Sequence, residues 1–299
     1  MKLLADLCKN VKQPPYDFGR PNLPFSDMIF CSALKVYSTF SLRRFMSHMQ
    51  NALEENYIQN NCSYVSISNF MRRKELTPIL HEVIRLSSLP LASVEMNFGV
   101  DSSGFSTSRF GRYFSYKHGK VKDYKVWIKA HVASGLKTNI VTAVRLTEDD
   151  SNDSKFFIPL LEQTAKGFEL KVAVGDKAYN SRKNVQFVED LGGTAYIPFR
   201  KNARGLAMGS PAWNRMYHYF NLHNEEFMKH YHKRSNCETT FHMIKAKFQN
   251  HVRNKDPTAQ INEVLLKILC HNICVVIQEI HELGIQADFV NVGAGTCGT

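Results

Sequence analysis

Apolar positions recur with two rhythms along the chain. From Ser26 to about Ser88 the period is helical: Ile29, Leu34, Phe40, Leu42, Phe45, Met49 and Leu53 mark a broad stripe. Asn60-Asn61 breaks it ahead of two short helical segments, roughly 67–75 and 77–88. Between Val94 and Phe199 strands and helices alternate. Val94–Val100, Val126–Val132 and Asn139–Leu146 read as strands, and Asp153-Ser154 reads as a helix start, with Phe156, Leu160, Leu161 and Ala165 on its buried face. Leu170, Val172 and Val174 form a fourth strand running into Gly175-Asp176. Ser181–Leu191 reads as a helix stopped by Gly192-Gly193, and Ala195–Phe199 as a short strand. The last third is helical again. Asn224 is placed to cap a helix running through Glu238, and Asp256-Pro257 is an N-cap and first-turn pair for a final helix ending near Gly284. Pro14, Pro15, Pro21 and Pro24 make residues 1–25 irregular.

Three strands followed by helix, strand, helix and strand predict an α/β fold, a mixed sheet flanked by helices. The expected organisation is a helical region over 1–92, the sheet-containing domain over 93–285, and a small polar tail over 286–299.

Charge narrows the class of partner. The net charge is +11, which favours polyanions, nucleic acid first among them. It is also unevenly spread. Phe105–Lys129 carries seven Lys/Arg against one Asp, Phe199–Lys255 carries eleven against three Glu, and the chain from Asp256 onward has one Lys against five acids. Two basic segments are what an electrostatic footprint on a phosphate backbone requires. In the first, Phe110, Tyr113, Phe114, Tyr116, Tyr124 and Trp127 alternate with Arg109, Arg112, Lys117, Lys120, Lys122 and Lys125. That mixture suits either a backbone-tracking surface or a hairpin whose rings pack on the sheet.

The seven cysteines have no framework spacing, which points to a reducing compartment. Met1–Asp6 meets an acid too early for a signal-peptide core. Lys267, His271 and Asn272 interrupt the most apolar stretch, Leu265–Ile280, so no membrane span is expected there. The expected location is the cytoplasm, in association with the nucleoid.

Two acids end strands and a third sits on a helix. Asp101 follows Val94–Val100, Asp176 follows Leu170–Val174, and carboxylates at neighbouring strand ends converge without help from flexible loops. Either Asp alone is as readily a turn former or helix cap. On the helix, Tyr231, Arg234, Glu238 and Lys245 stand at offsets of 0, 3, 7 and 14, on one face at about 100° per residue. Phe241 lies on the same line, so this face is not a purely solvated charge run.

The spacing Tyr-x2-Arg-x3-Glu-x6-Lys over Tyr231, Arg234, Glu238 and Lys245 resembles the signature of bacterial and archaeal insertion-sequence DDE transposases. Val100-Asp101-Ser102-Ser103-Gly104-Phe105 is similar to that family's first-Asp region. Val174-Gly175-Asp176-Lys177-Ala178-Tyr179-Asn180-Ser181 is similar to its second, with Ala178 where Gly is more usual. The three acids come in the expected order from about Val94 to Glu282. The resemblance implies an RNase H-like catalytic domain, cleavage of phosphodiester bonds at element ends, and attack of the freed 3′-OH on target DNA.

Three carboxylates suit that chemistry. Displacement at an anionic phosphodiester builds up further negative charge, and two Mg²⁺ ions activate the attacking oxygen and stabilise the leaving one. Mg²⁺ takes hard oxygen ligands and only one or two protein carboxylates per ion. Asp101, Asp176 and Glu238 are therefore the candidate catalytic residues and metal ligands for two Mg²⁺, which Mn²⁺ can replace. Arg234 and Lys245 are candidate phosphate contacts. Tyr231 stacks on a displaced base, donates to a phosphate, or packs beneath its helix. Arg200 and Lys201, between the last strand and the Glu238 helix, are candidate DNA contacts. So are Arg72 and Arg73, on a short helix that Ser66 or Ser68 would cap in a helix-turn-helix-like layout, against the alternative of a plain helical bundle. His218, His223, His230, His232 and His242 with Cys237 match no zinc-finger spacing. The implied partner is double-stranded DNA, element ends and target, engaged as a homodimer. The rival readings are an inactive or domesticated transposase-derived DNA-binding protein and a metal nuclease that never joins strands.

Overall fold

The structure is a computed structural model that describes residues 1–15, 18, 22–107, 127–147, 152–206 and 208–289. The chain divides into two compact units. A helical unit comprises Met1–Pro90, Phe105–Trp127 and Ile244–Thr299; a sheet unit comprises Leu91–Gly104 and Ile128–Met243.

In the helical unit, α1 (Lys2–Cys8), α2 (Phe25–Ser38), α3 (Leu42–Glu54), α4 (Tyr64–Met71) and α5 (Leu76–Ser88) are joined by the long α11 (Pro257–Leu283). Helix α1 corrects the expectation of an irregular start. The prolines begin only at Pro14, and ahead of them Leu4, Leu7 and Cys8 bury one helical face. The basic triplet Arg72-Arg73-Lys74 is not carried on a helix. Ser63, rather than Ser66 or Ser68, caps α4 by accepting from the Ser66 amide at 3.1 Å, so α4 starts earlier and ends before Arg72. Arg72 and Arg73 are exposed in the turn between α4 and α5, where the Arg73 guanidinium lies 5.7 Å over the Phe70 ring.

Helix α11 explains why residues 244–289 group with the N-terminal helices. It is long and apolar enough to cross a membrane, but 67% of its most apolar stretch is buried inside the protein, where it packs on α5 and α2. Its interrupting polar residues are satisfied internally. Lys267 donates to the carbonyls of His251 (2.6 Å) and Gln249 (3.1 Å). Asn262 accepts from Thr77 and donates to the Met71 carbonyl, and Asn272 donates to Ser87. Each of these bonds fixes the helix's rotation against α4 and α5, which pure apolar packing would leave looser. The Asp256-Pro257 start forms as expected: the Asp256 carboxylate accepts from the Ala259 amide at 2.9 Å, and Gly284 ends the helix at φ 66°. Asp256→Ala is expected to cost about 1 kcal/mol, read as a lower urea midpoint with unchanged slope. Phe289 is buried and its carbonyl accepts from Asn10, so the start of the 286–299 segment is anchored.

The sheet unit holds one five-stranded sheet in the order β3-β2-β1-β4-β5, with β1 (Asn97–Ser106), β2 (Trp127–Gly135), β3 (Val141–Thr147), β4 (Val172–Gly175) and β5 (Thr194–Tyr196). β2 and β3 are antiparallel, whereas β1–β4 and β4–β5 are parallel, so the sheet is mixed. Helices α6 (Phe157–Ala165), α7 (Arg182–Asp190), α8 (Pro211–Leu222) and α9 (Asn224–Tyr231) flank it, with α6 against β3, α7 against β5 and α9 against β4 and β5. The apolar run of β4 is what a strand between two parallel neighbours needs, since both its faces are covered.

Two helix starts differ from expectation. Asn152, not Asp153, caps the turn that leads into α6, accepting from the Ser154 amide at 3.0 Å. The Asn224 side chain donates back to the Phe220 carbonyl, so it does not cap α9. The helix expected to run unbroken through Glu238 is divided by a 3-10 turn, His232–Arg234, after which α10 (Ser235–Phe248) begins. The Ser235 hydroxyl donates to the His232 carbonyl at 3.0 Å, a local bond that competes with the regular ladder at this break.

Candidate active site

Asp101 and Asp176 reach the same end of the sheet by register. β1 and β4 run parallel, their last pair is Val100↔Gly175, and each aspartate is the next residue. Asp101 is not at a strand end as expected; β1 continues to Ser106, past the point where β4 stops. Crevices beyond the carboxyl ends of parallel strands are where open α/β sheets hold their chemistry.

Glu238 comes from α10, which is fastened to the sheet at three points. Asn236 donates to the Leu136 carbonyl at 2.5 Å, Thr240 donates to Asn139 at 3.1 Å, and the buried Cys237 lies against Gly99 of β1. Those first two contacts fall on the turn between β2 and β3. Beneath that turn the fully buried Glu95 carboxylate accepts from the amides of Lys137 and Thr138, each at 2.9 Å. Burial holds the Cys237 thiol up at about 12, so it is an inert packing group rather than a nucleophile.

Arg234 links two of the acids. Its guanidinium is 3.7 Å from Asp101 Oδ2 and bonds the Glu238 carboxylate one turn on. Asp101 is 16% exposed and Glu238 60%. Burial raises the Asp101 carboxyl above the ordinary carboxylate range; the Ser102 amide and Arg234 pull it back, and Asp176 and Glu238 push it up again. So all three acids share one electrostatic environment. Asp176 also acts as a cap, accepting from the Ala178 amide at 2.8 Å to start the 3-10 turn Lys177–Tyr179.

Among the described residues, no three His, Cys, Asp or Glu side chains are gathered as a ligand cluster. The donor type of the three acids is the one Mg²⁺ prefers. Their donors are all hard carboxylate oxygens, a two-ion arrangement asks for only one or two carboxylates per ion, and the protein's own cation, Arg234, stands between Asp101 and Glu238.

The other predicted residues divide. Tyr231 precedes α10 and packs against the apolar cluster of Leu136, Val174, Tyr196, Phe227 and Cys237, the packing alternative. Lys245 lies in the part of α10 that belongs to the helical unit, its ammonium 5.4 Å over the Phe105 ring. Arg200 and Lys201 are exposed in the turn after β5; because β5 runs parallel to β4, the chain leaves it toward the end that bears Asp176. Arg72 and Arg73 belong to the helical unit and are not brought to the acids by any described contact. The basic and aromatic residues from Arg109 to Lys125 lie outside the described residues.

The sequence pattern marks Asp153 only as part of a helix start. Its Oδ2 accepts from the Ser102 hydroxyl at 3.0 Å, and its Oδ1 accepts from Lys129 of β2 at 2.5 Å and lies 3.8 Å from His131 Nδ1. Ser102 is the neighbour of Asp101. Buried Tyr179, three residues after Asp176, has its hydroxyl pushed up by burial and then by Asp153, Asp101 and Asp176. Asp153 thus ties the β1 segment bearing the first aspartate to β2, with the turn of the second alongside.

The family model described as transposase DDE domain matches residues 98–273, more than half of the chain and a span containing all three acids. The chain belongs to the DDE-domain transposase family. Among solved structures, 98% of this transposase-family chain aligns with 75% of a chain in the cryo-EM structure of a piggyBac transposase synaptic complex with hairpin DNA, at 12% identity and a TM-score of 0.44.

Proposed function

We propose that this transposase-family protein cleaves DNA at element ends and joins the freed 3′-OH to target DNA on an RNase H-like domain, with Asp101, Asp176 and Glu238 holding two Mg²⁺ ions. The observation that carries the reading is the register of Asp101 and Asp176, one residue past the last pair of two parallel strands, with Arg234 bridging from Asp101 to the Glu238 carboxylate. Bound there, Mg²⁺ (or Mn²⁺) would supply Lewis-acid stabilisation of the attacking and leaving oxygens. The chain's residues do the rest. The strand ends hold two carboxylates in fixed register, and α10 presents the third. Arg234 lies beside Asp101 and bonds Glu238, and its bidentate fork suits a phosphate oxygen. Arg200 and Lys201, leaving from the same sheet end, suit the flanking backbone. Double-stranded DNA is the partner, two ends held by a homodimer, in an insertion-sequence system of a nucleoid-containing cytoplasm.

The test is integration of a DNA carrying the element's ends into a supercoiled plasmid. Covalently joined products support a transposase. Nicking without joining would reduce the reading to a nuclease, and binding without either to an inactive remnant.

Asp153→Asn is expected to lower the cleavage rate about 10–100-fold, the scale for groups that orient ligands, with DNA affinity unchanged. Single-turnover cleavage and anisotropy on the same preparation check this; equal losses in both would mean general misfolding.

A further inference from the structure

Lys35 of α2 is 6% exposed; its carbonyl accepts from Ser38, and its ammonium makes no hydrogen bond or ion pair among the described residues. A buried ammonium without a counter-charge is costly, and natural proteins rarely keep one without a reason. Glu263, the acid that acts on it, is committed elsewhere: it accepts from the amides of Arg253 and Asn254 and from the Asn254 side chain, and lies 4.0 Å from Lys267. Burial lowers the Lys35 ammonium's affinity for its proton, Glu263 raises it, and Arg253 lowers it again.

Lys35 lines a cavity of about 860 Å³ within the helical unit. Arg44, Arg253 and Lys255 stand exposed on its wall, His251 is half-buried there, and among the described residues no carboxylate lines it. The cavity also receives Ser41 and Leu42, the start of the 13-residue α3. No side chain caps that start and no acid stands in its first turn, so its amides and positive dipole end are unanswered. Arg253 is aimed by its bonds to the Thr39 carbonyl and Gln249.

We propose that this cavity is a binding site for the phosphodiester backbone of DNA, with Lys35 at its floor and Arg44, Arg253 and Lys255 along its rim. A buried cation, an uncapped helix start and a wall whose described residues include no carboxylate select an anion. Several exposed cations around one wide opening suit a chain of phosphates better than a single small ion. The site rests on the reading of the protein as a DNA-acting enzyme, but lies on residues that reading does not use.

The experiment is fluorescence anisotropy of a labelled duplex against NaCl concentration, for the full-length wild type, Arg44→Glu/Lys255→Glu and Lys35→Met. The double variant is expected to bind at least tenfold more weakly, with the slope of log Kd against log[NaCl] reduced by about 2, since each lost phosphate contact removes about 0.9. Lys35→Met is expected to bind several-fold more weakly with an unchanged or higher Tm, which loss of folding would not produce. Slopes and affinities equal to wild type in both variants would overturn the site. A second arm adds inorganic phosphate without DNA: a Tm rise in wild type that vanishes in Lys35→Met, together with wild-type DNA binding in the variants, would assign the cavity to a small anion and overturn it equally. Wild type that fails to bind DNA at all would sink the proposed function as well; wild type that binds and cuts while the variants match it sinks only this site.

Discussion

Asp101→Asn is expected to abolish DNA cleavage, by about 10³-fold or more, while leaving the metal-free protein as stable as wild type or more so. The loss follows from removing one member of a unit that acts together. The stability result follows from the sign of the shift. Burial is the largest influence on Asp101 and raises its carboxyl above the unfolded value. The folded state therefore holds the proton more tightly than the unfolded state does. As pH rises through the unfolded and then the folded value, ionisation removes stability, and the full penalty is present at neutral pH. Asparagine carries no such penalty, and Arg234 keeps Glu238 as a partner. Thermal melts in EDTA are the check. The Tm gain over wild type should be greatest near pH 7, shrink as pH falls through the raised folded value, and be gone below about 3.9, the ordinary Asp value. A Tm well below wild type at pH 7 would show that Asp101 is chiefly a structural anchor.

Gly99→Ala is expected to cost stability and activity together. A Cβ at Gly99 would run into Cys237 Sγ and stand 2.9 Å from Leu136 Cδ2 and 3.1 Å from Val174 Cγ2, all inside the packed sheet unit. Overpacking of this kind costs about 1–3 kcal/mol. Cys237 is the residue before Glu238, so the helix can relieve the clash only by carrying the third acid away from β1. Cys237→Ala removes the colliding sulfur. Combined with Gly99→Ala it is expected to recover much of the lost Tm and cleavage, a coupling that independent sites would not show. Additive losses in the double variant would mean that the close approach of α10 to β1 does not set the position of Glu238.

The parts of this architecture legible in the sequence are those written in local pattern. The alternation of strand and helix between Val94 and Phe199, the Asp256-Pro257 start and the Gly284 stop all report backbone preferences of short segments, and the structure has them. Asp176 follows its strand as the local pattern suggests, whereas the same reading of Asp101 misses that β1 continues past it to Ser106. Other features depend on partners distant in sequence. Gly99 carries no turn signal; its smallness matters only because Cys237, far along the chain, packs on it. Asp153 looks like a helix cap until Ser102 and Lys129 are seen to claim its two oxygens, leaving the cap to Asn152. The break at His232–Arg234 was hidden because Tyr231, Arg234 and Glu238 keep helical spacing across it, and a 3-10 turn shifts that phase too little to disturb the pattern. The grouping of 244–289 with the N-terminal helices was hidden for the same reason as Gly99: Asn262 and Asn272 look like interruptions of an apolar helix, and their partners Thr77, Met71 and Ser87 lie in another third of the chain.

The most direct test of the central claim is cleavage of a DNA carrying the element's own ends by wild type, Asp101→Asn, Asp176→Asn and Glu238→Gln, each in Mg²⁺ and in EDTA. The account predicts nicking at the ends by wild type in Mg²⁺ alone, and none by any of the three variants, all of which still bind the DNA. Cleavage that persists in EDTA, or in any one of the three variants, would contradict it.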